Sequence, residues 1–158
     1  MGMCGYVRPV SPTALAALRK DPSGIEELVE SDARQVSLEK MWHAIHFLLS
    51  GDAEEVRGTA GLAVLGGDEI GEDLGYGPAR VLAPDAVARV AEALAPIDRA
   101  WVDAHFDAEA LADAGIYPEV WDEDRAELVD EIWSYLGPLC TAYAEARSSG
   151  RGMVLWLM

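Results

Sequence analysis

Cysteine is scarce in this chain: Cys4 and Cys140 are far apart, and no CxxC pair occurs. That excludes a disulfide framework and a thiolate metal site, and points to reduced thiols in a cytoplasmic protein. Lysine is equally rare, at Lys20 and Lys40, and the 12 basic residues face 28 acidic ones, giving a net charge of −16. Such a surface repels nucleic-acid phosphates and anionic membranes, so neither is an expected partner, whereas a basic protein is. Long apolar runs are missing too. The longest, Met153 to Met158, is far too short to span a bilayer. No basic stretch followed by an apolar one marks a signal peptide. The Met1-Gly2 start is no acylation signal either, since Tyr6 stands where Ser or Thr is needed.

What remains is a chain of 158 residues, 51% of them hydrophobic, enough for one domain over residues 1–158 with a sizeable core. Residues 3–10 read as a strand. Ser11-Pro12 gives an N-cap followed by proline at the first helical position, opening a short helix to Lys20. Ile25 to Glu30 adds a turn or two. Helical spacing of Leu38, Met41, Trp42, Ile45, Leu48 and Leu49 predicts a helix from Leu38 to Ser50, stopped by Gly51. Seven of the fifteen glycines fall within residues 58–77, which predicts a looped stretch with one strand at Leu62–Leu65. Ala79–Leu82 is a second short strand. Helices are predicted from Pro84 to Pro96, over 99–106 and over 108–114. A long one over 125–147 has Gly137-Pro138 in its middle, so it should kink or split. Met153–Leu157 closes the chain as a strand. Few strands in irregular alternation with helices argue against a doubly wound sheet. The expected class is α+β, with helices around a small sheet that includes both terminal strands.

Chemical signals are sparse. His43 and His46 sit three apart, with Glu39 a turn before. His-x-x-His lacks the spacing and the base of a zinc protease, and the ligand set is incomplete, so no metal is expected. The glycine-rich stretch 71–77 is crowded with acids, which repel phosphate, and it matches no nucleotide-binding fingerprint. Neither cysteine has a basic neighbour in sequence to activate it, and no GxSxG elbow occurs. No cofactor is implied. Most tryptophans serve a core. Tyr117 and Trp121 lie beside breaks in regular structure, and with Arg80 they are candidates to line a polar-mouthed pocket.

Several stretches together resemble the YfbM-like family, a bacterial domain of unknown function. They are Met1-Gly2-Met3, the run from Leu38 through Trp42, His43 and His46 to Gly51, Leu65-Gly66-Gly67, Leu74 through Tyr76 to Arg80, and Gly115 through Tyr117-Pro118 to Trp121. The resemblance spans nearly the whole chain. It implies an α+β fold and a small soluble bacterial protein, and it supplies no reaction.

Three functions fit these readings. One is a non-catalytic binding module with a small-molecule or peptide cleft. Another is an acidic inhibitor or immunity-type protein covering a basic partner. The last is an enzyme with His46 as acid or base and Arg80 as anion holder. The expected site joins Trp42, His46, Gly75, Gly77, Arg80, Tyr117 and Trp121 at one cleft. Arg80 there either holds an anionic ligand or pairs with Asp122 or Glu119.

Overall fold

The computed structural model describes residues 2–31 and 33–158, so Met1 of the family-like start lies outside them. Five strands form one antiparallel sheet: β1 (Gly5–Val10), β2 (Val36–Glu39), β3 (Asp68–Asp73), β4 (Pro78–Leu82) and β5 (Gly152–Leu157), in the order β2-β1-β5-β4-β3. The two terminal strands therefore lie side by side in the interior of the sheet, with Gly5 opposite Leu157 and Val10 opposite Gly152.

Alternation along these strands sends side chains to two faces. One face, with Val10, Val81, Val154 and Trp156, is covered by α1 (Pro12–Lys20) and α2 (Gly24–Glu30) through Leu15, Leu18 and Ile25. The other, with Val7, Leu82, Met153 and Leu155, carries the larger core. There lie α3 (Trp42–Ser50), α4 (Leu62–Leu65), α5 (Pro84–Leu94) and α8 (Arg125–Ser148). Val102 of α6 (Arg99–His105) and Leu111 of α7 (Ala108–Asp113) extend the same core. The fold is α+β, with eight helices packed against the sheet among the described residues. No helix among them is long and apolar enough to cross a membrane.

Local chemistry sets most boundaries as expected. Ser11 Oγ accepts from the Ala14 amide, and Pro12 opens α1. Asp98, Asp107 and Asp124 cap α6, α7 and α8 in the same way.

Three expectations fail. The helix predicted from Leu38 begins only at Trp42, because Val36–Glu39 pairs with β1 as an edge strand. Glu39 then takes a left-handed φ of 45°, and the Met41 amide closes a turn on the Leu38 carbonyl. Leu38 and Met41 keep the buried positions their spacing implied, but from a strand and a turn. The predicted strand at Leu62–Leu65 is a single helical turn, closed by amide bonds from Ala63 to Ala60 and from Gly66 to Leu62. The strand of this region is instead the acidic Asp68–Asp73, an edge where only Ile70 is buried. Its polarity hid it: an edge strand with one face in solvent needs little apolar sequence. Finally, α8 runs unbroken through Pro138. Proline removes the donor to the Ser134 carbonyl, but both residues are exposed and solvent serves that oxygen.

Two glycines of the β3–β4 region differ in what they permit. Gly67 has φ 93°, and a Cβ there would collide with the Val81 carbonyl oxygen; Gly75 has φ 118° and open space around it. Gly75→Ala should cost about 1–2 kcal/mol from its backbone conformation alone. Gly67→Ala should cost upward of about 3 kcal/mol, because β4 must shift as well. Urea unfolding of the two variants checks the order.

Candidate functional site

The first residue of α3 is the hub of the N-terminal edge. Trp42 Nε1 donates to the Met3 carbonyl at 3.0 Å. Its ring stacks on His43 at 4.7 Å and on Tyr117 at 6.5 Å. The Met3 amide donates to Tyr117 Oη at 3.2 Å. The Tyr117 amide in turn donates to His43 Nδ1 at 2.9 Å. An amide can only donate, so His43 Nδ1 carries no proton, and Nε2–H donates to the Ala53 carbonyl at 2.9 Å. His43 is held neutral by geometry, and burial pushes its pKa below the ordinary 6.5.

One turn on, His46 is fully buried. Its Nε2 donates to the Glu55 carbonyl at 3.1 Å, an oxygen that also accepts from Ser50 Oγ at 2.5 Å. Nδ1 is an acceptor with no partner among the described residues. Burial is the main cause lowering its pKa, against the hydrogen bond to the Glu55 carbonyl and the pull of Asp52, and the charge of Arg80 adds to the lowering.

Arg80 lies on β4 between Glu69 and Leu155 in register. Alternation places it on the same sheet face as Leu82, the face that α3 covers. It is half-buried and forms no ion pair with Asp122, Glu119 or any other described carboxylate. Gly75 and Gly77 occupy the tip of the β3–β4 hairpin at φ 118° and 97°. There the Asp73 carboxylate accepts from their amides at 2.6 and 3.3 Å. Their conformation serves the turn. Trp121 is buried, donating to the Ile116 carbonyl at 2.7 Å and meeting Phe106 edge-on at 6.4 Å. Trp42 and Tyr117 are thus in contact, and Arg80 is close enough for its charge to act on His46. The glycines and Trp121 have separate local partners.

A second location was not singled out from the sequence. An open groove of about 1440 Å³ runs along α8 from Trp133 to Ser149, and none of the seven candidate residues lines it. One wall is α5 with the segment after it, through Ala91, Leu94 and Ile97. The other is Pro9 of β1 with residues 34–36 leading into β2. The cause of the space is visible in α8: Gly137, Thr141, Ala144 and Ser148 follow helical spacing and are all small. That pattern was legible in principle. It reads as ordinary helix surface until the neighbouring walls are known. Cys140 lines the groove with its thiol pushed up to about 11 by burial. Cys4 is also raised, by burial and by Glu39. Neither is a thiolate near neutral pH. Among the described residues no cluster of His, Cys, Asp and Glu could hold a metal.

Fold and groove together define a class: a small antiparallel sheet with its termini in central strands, and a long C-terminal helix bearing an open groove. The chain belongs to the family described as "Domain of unknown function (DUF1877)", which matches residues 1–156. Among solved structures it is similar to a protein of unknown function, YfbM from Escherichia coli. That likeness has a TM-score of 0.79 at 21% identity and covers 98% of this chain and 99% of the other. At that identity it shows the fold. No curated protein matches the chain.

The histidine pair has a measurable consequence. Both folded-state pKa values lie below the unfolded value near 6.5, so the unfolded chain takes up protons first as pH falls. Stability is fully present above pH 6.5 and is lost as pH drops through 6.5 toward the folded values. Urea midpoints measured between neutral and mildly acidic pH should fall, and His46→Gln should flatten that slope.

Proposed function

We propose that this protein is a non-catalytic binding module of the bacterial cytoplasm, and that its ligand, a small molecule or a peptide, occupies the groove along α8. The observation that carries this reading is the groove itself. At about 1440 Å³ it exceeds the roughly 300–1,000 Å³ of most small-ligand pockets. Its surface mixes apolar side chains with a few polar ones, as binding clefts do. The absence of catalysis is supported by the state of the reactive groups. Both helix α3 histidines give their Nε2 protons to carbonyl oxygens, and their pKa values are lowered. Both thiols are raised. The cytoplasmic placement rests on Cys4 and Cys140 being free.

A second reading concerns the corner between α3 and β4. Among the described residues, His46 Nδ1 is a buried acceptor without a partner, and Arg80 is a half-buried cation without a counter-ion. A small anion that also bears a hydroxyl donor has the chemistry to satisfy both groups.

Ala144 separates the two readings. It is exposed and lines the groove, so Ala144→Trp fills the groove while changing stability by no more than about 0.5 kcal/mol. Thermal-shift screening of metabolites and peptides should yield ligands that stabilise the natural chain. At a hundredfold excess over Kd the gain is about 2.7 kcal/mol, several degrees in Tm. Those ligands should fail to shift Ala144→Trp. Equal shifts in both proteins would place binding outside the groove.

A further inference from the structure

The arginines of this acidic chain fall into three groups. Arg19, Arg57, Arg89, Arg99 and Arg125 each lie within 3.5 Å of a carboxylate. Arg8 is buried and gives its guanidinium to the Leu28, Ser31 and Arg34 carbonyls. Arg34, Arg80, Arg147 and Arg151 have no ion pair and no side-chain hydrogen bond among the described residues. Three of these four, Arg34, Arg147 and Arg151, line the α8 groove.

They gather at one end of it. Arg147 and Arg151 flank the last turn of α8, where the Arg151 amide bonds back to the Ala146 carbonyl and Gly150 takes a φ of 63°. Arg34 arrives from the segment before β2. It shares a smaller recess with Ala144, Glu145, Ser148 and Ser149. The helix dipole accounts for cations beside a C-terminus. It does not account for Arg34, which belongs to another element, nor for an open groove between them. Among the described residues one carboxylate, Glu145, lines the groove with the three arginines, and it pairs with none of them. In a chain of net charge −16 this is a local positive field. More distant acids are screened over a Debye length of about 8 Å at physiological salt.

Shape narrows the occupant. Sixteen residues of helix, from Trp133 to Ser148, give the groove a length of roughly 24 Å at about 1.5 Å per residue. An extended peptide of about seven residues covers that distance at roughly 3.4 Å each. The apolar section between Leu94, Ile97 and Trp133 lies away from the arginine end. The wall at residues 34–36 leads into β2, an edge strand bonded on one side only, to β1. Gln35, Thr141, Ser148 and Ser149 supply polar contacts that suit a peptide backbone better than a plain hydrocarbon chain.

Resting on the reading of the groove as the binding site, we infer that its ligand is an extended peptide segment of a partner protein. The segment carries carboxylates at one end, held by Arg34, Arg147 and Arg151, and apolar side chains at the other.

The test is selection of a displayed library of random short peptides on the immobilised full chain. Synthetic fluorescein-labelled copies of the enriched peptides are then titrated by anisotropy. Enriched sequences should combine acidic residues with an apolar run. Their affinity should fall about tenfold for each of Arg34→Glu, Arg147→Glu and Arg151→Glu. It should weaken further with added salt, and Arg19→Glu on the opposite sheet face should leave it unchanged. All of these positions are exposed, so each single variant should fold. No enrichment, enrichment without acidic residues, or affinity insensitive to all three charge reversals would overturn the assignment. If small molecules still protect the natural chain but not Ala144→Trp, the groove stands and only the peptide is wrong. If Ala144→Trp alters nothing, the reading of the groove itself has failed.

Discussion

The pairing of β1 with β5 is the constraint on which the rest of the architecture hangs. Six residue pairs join the first strand to the last, and the other three strands build outward from these two. β2 adds to the free edge of β1, and β4 with β3 adds to the free edge of β5. The two faces of this pair define the two cores. Val7 and Leu155 point toward the helical layer, while Val10, Val154 and Trp156 point toward α1 and α2. The pairing also fixes the end of α8, because that helix must turn sharply at Gly150 to deliver Gly152 into register with Val10. The arginine end of the groove is built on that turn.

Charge is organised around the same frame. Five of the ten arginines hold a nearby carboxylate on the surface, and such exposed pairs each contribute little to stability. Arg8 is the exception in kind. It is a buried cation satisfied by the Leu28, Ser31 and Arg34 carbonyls and by Ser31 Oγ, and it ties the α2–β2 connection to β1. Its hold on the Arg34 carbonyl positions the very residue that closes one wall of the groove.

Much of the fold was legible in the sequence because local signals and tertiary demands agreed. Ser11-Pro12 had to open α1, Gly51 had to end α3, and the spacing of Val87, Val90, Ala91 and Leu94 had to face a core. Reading failed where long-range pairing overrode local pattern. Leu38 obeys a helical period yet sits in a strand, because β1 offers its edge to residues 36–39. Asp68–Asp73 looks like a loop yet is a strand, because β4 supplies its partner. For the site, Trp42 and Tyr117 were both named from the sequence and do touch, although Trp42 was expected inside a helix that in fact begins with it. The groove was not. It is bounded by residues more than a hundred positions apart in the chain, Pro9, Arg34 and Arg151 among them, and no spacing rule links these.

The central place of β5 also governs when the molecule can exist at all. During synthesis β1, β2, β3 and β4 emerge first, but β1 and β4 have no bond to each other; the last strand is the bridge between them. Without Gly152–Leu157 in place, β1 with β2 and β4 with β3 would have open interior edges, and such edges invite pairing with other chains. Folding of the sheet is therefore completed by a long-range contact, a closure slower than helix formation and dependent on Gly152–Leu157.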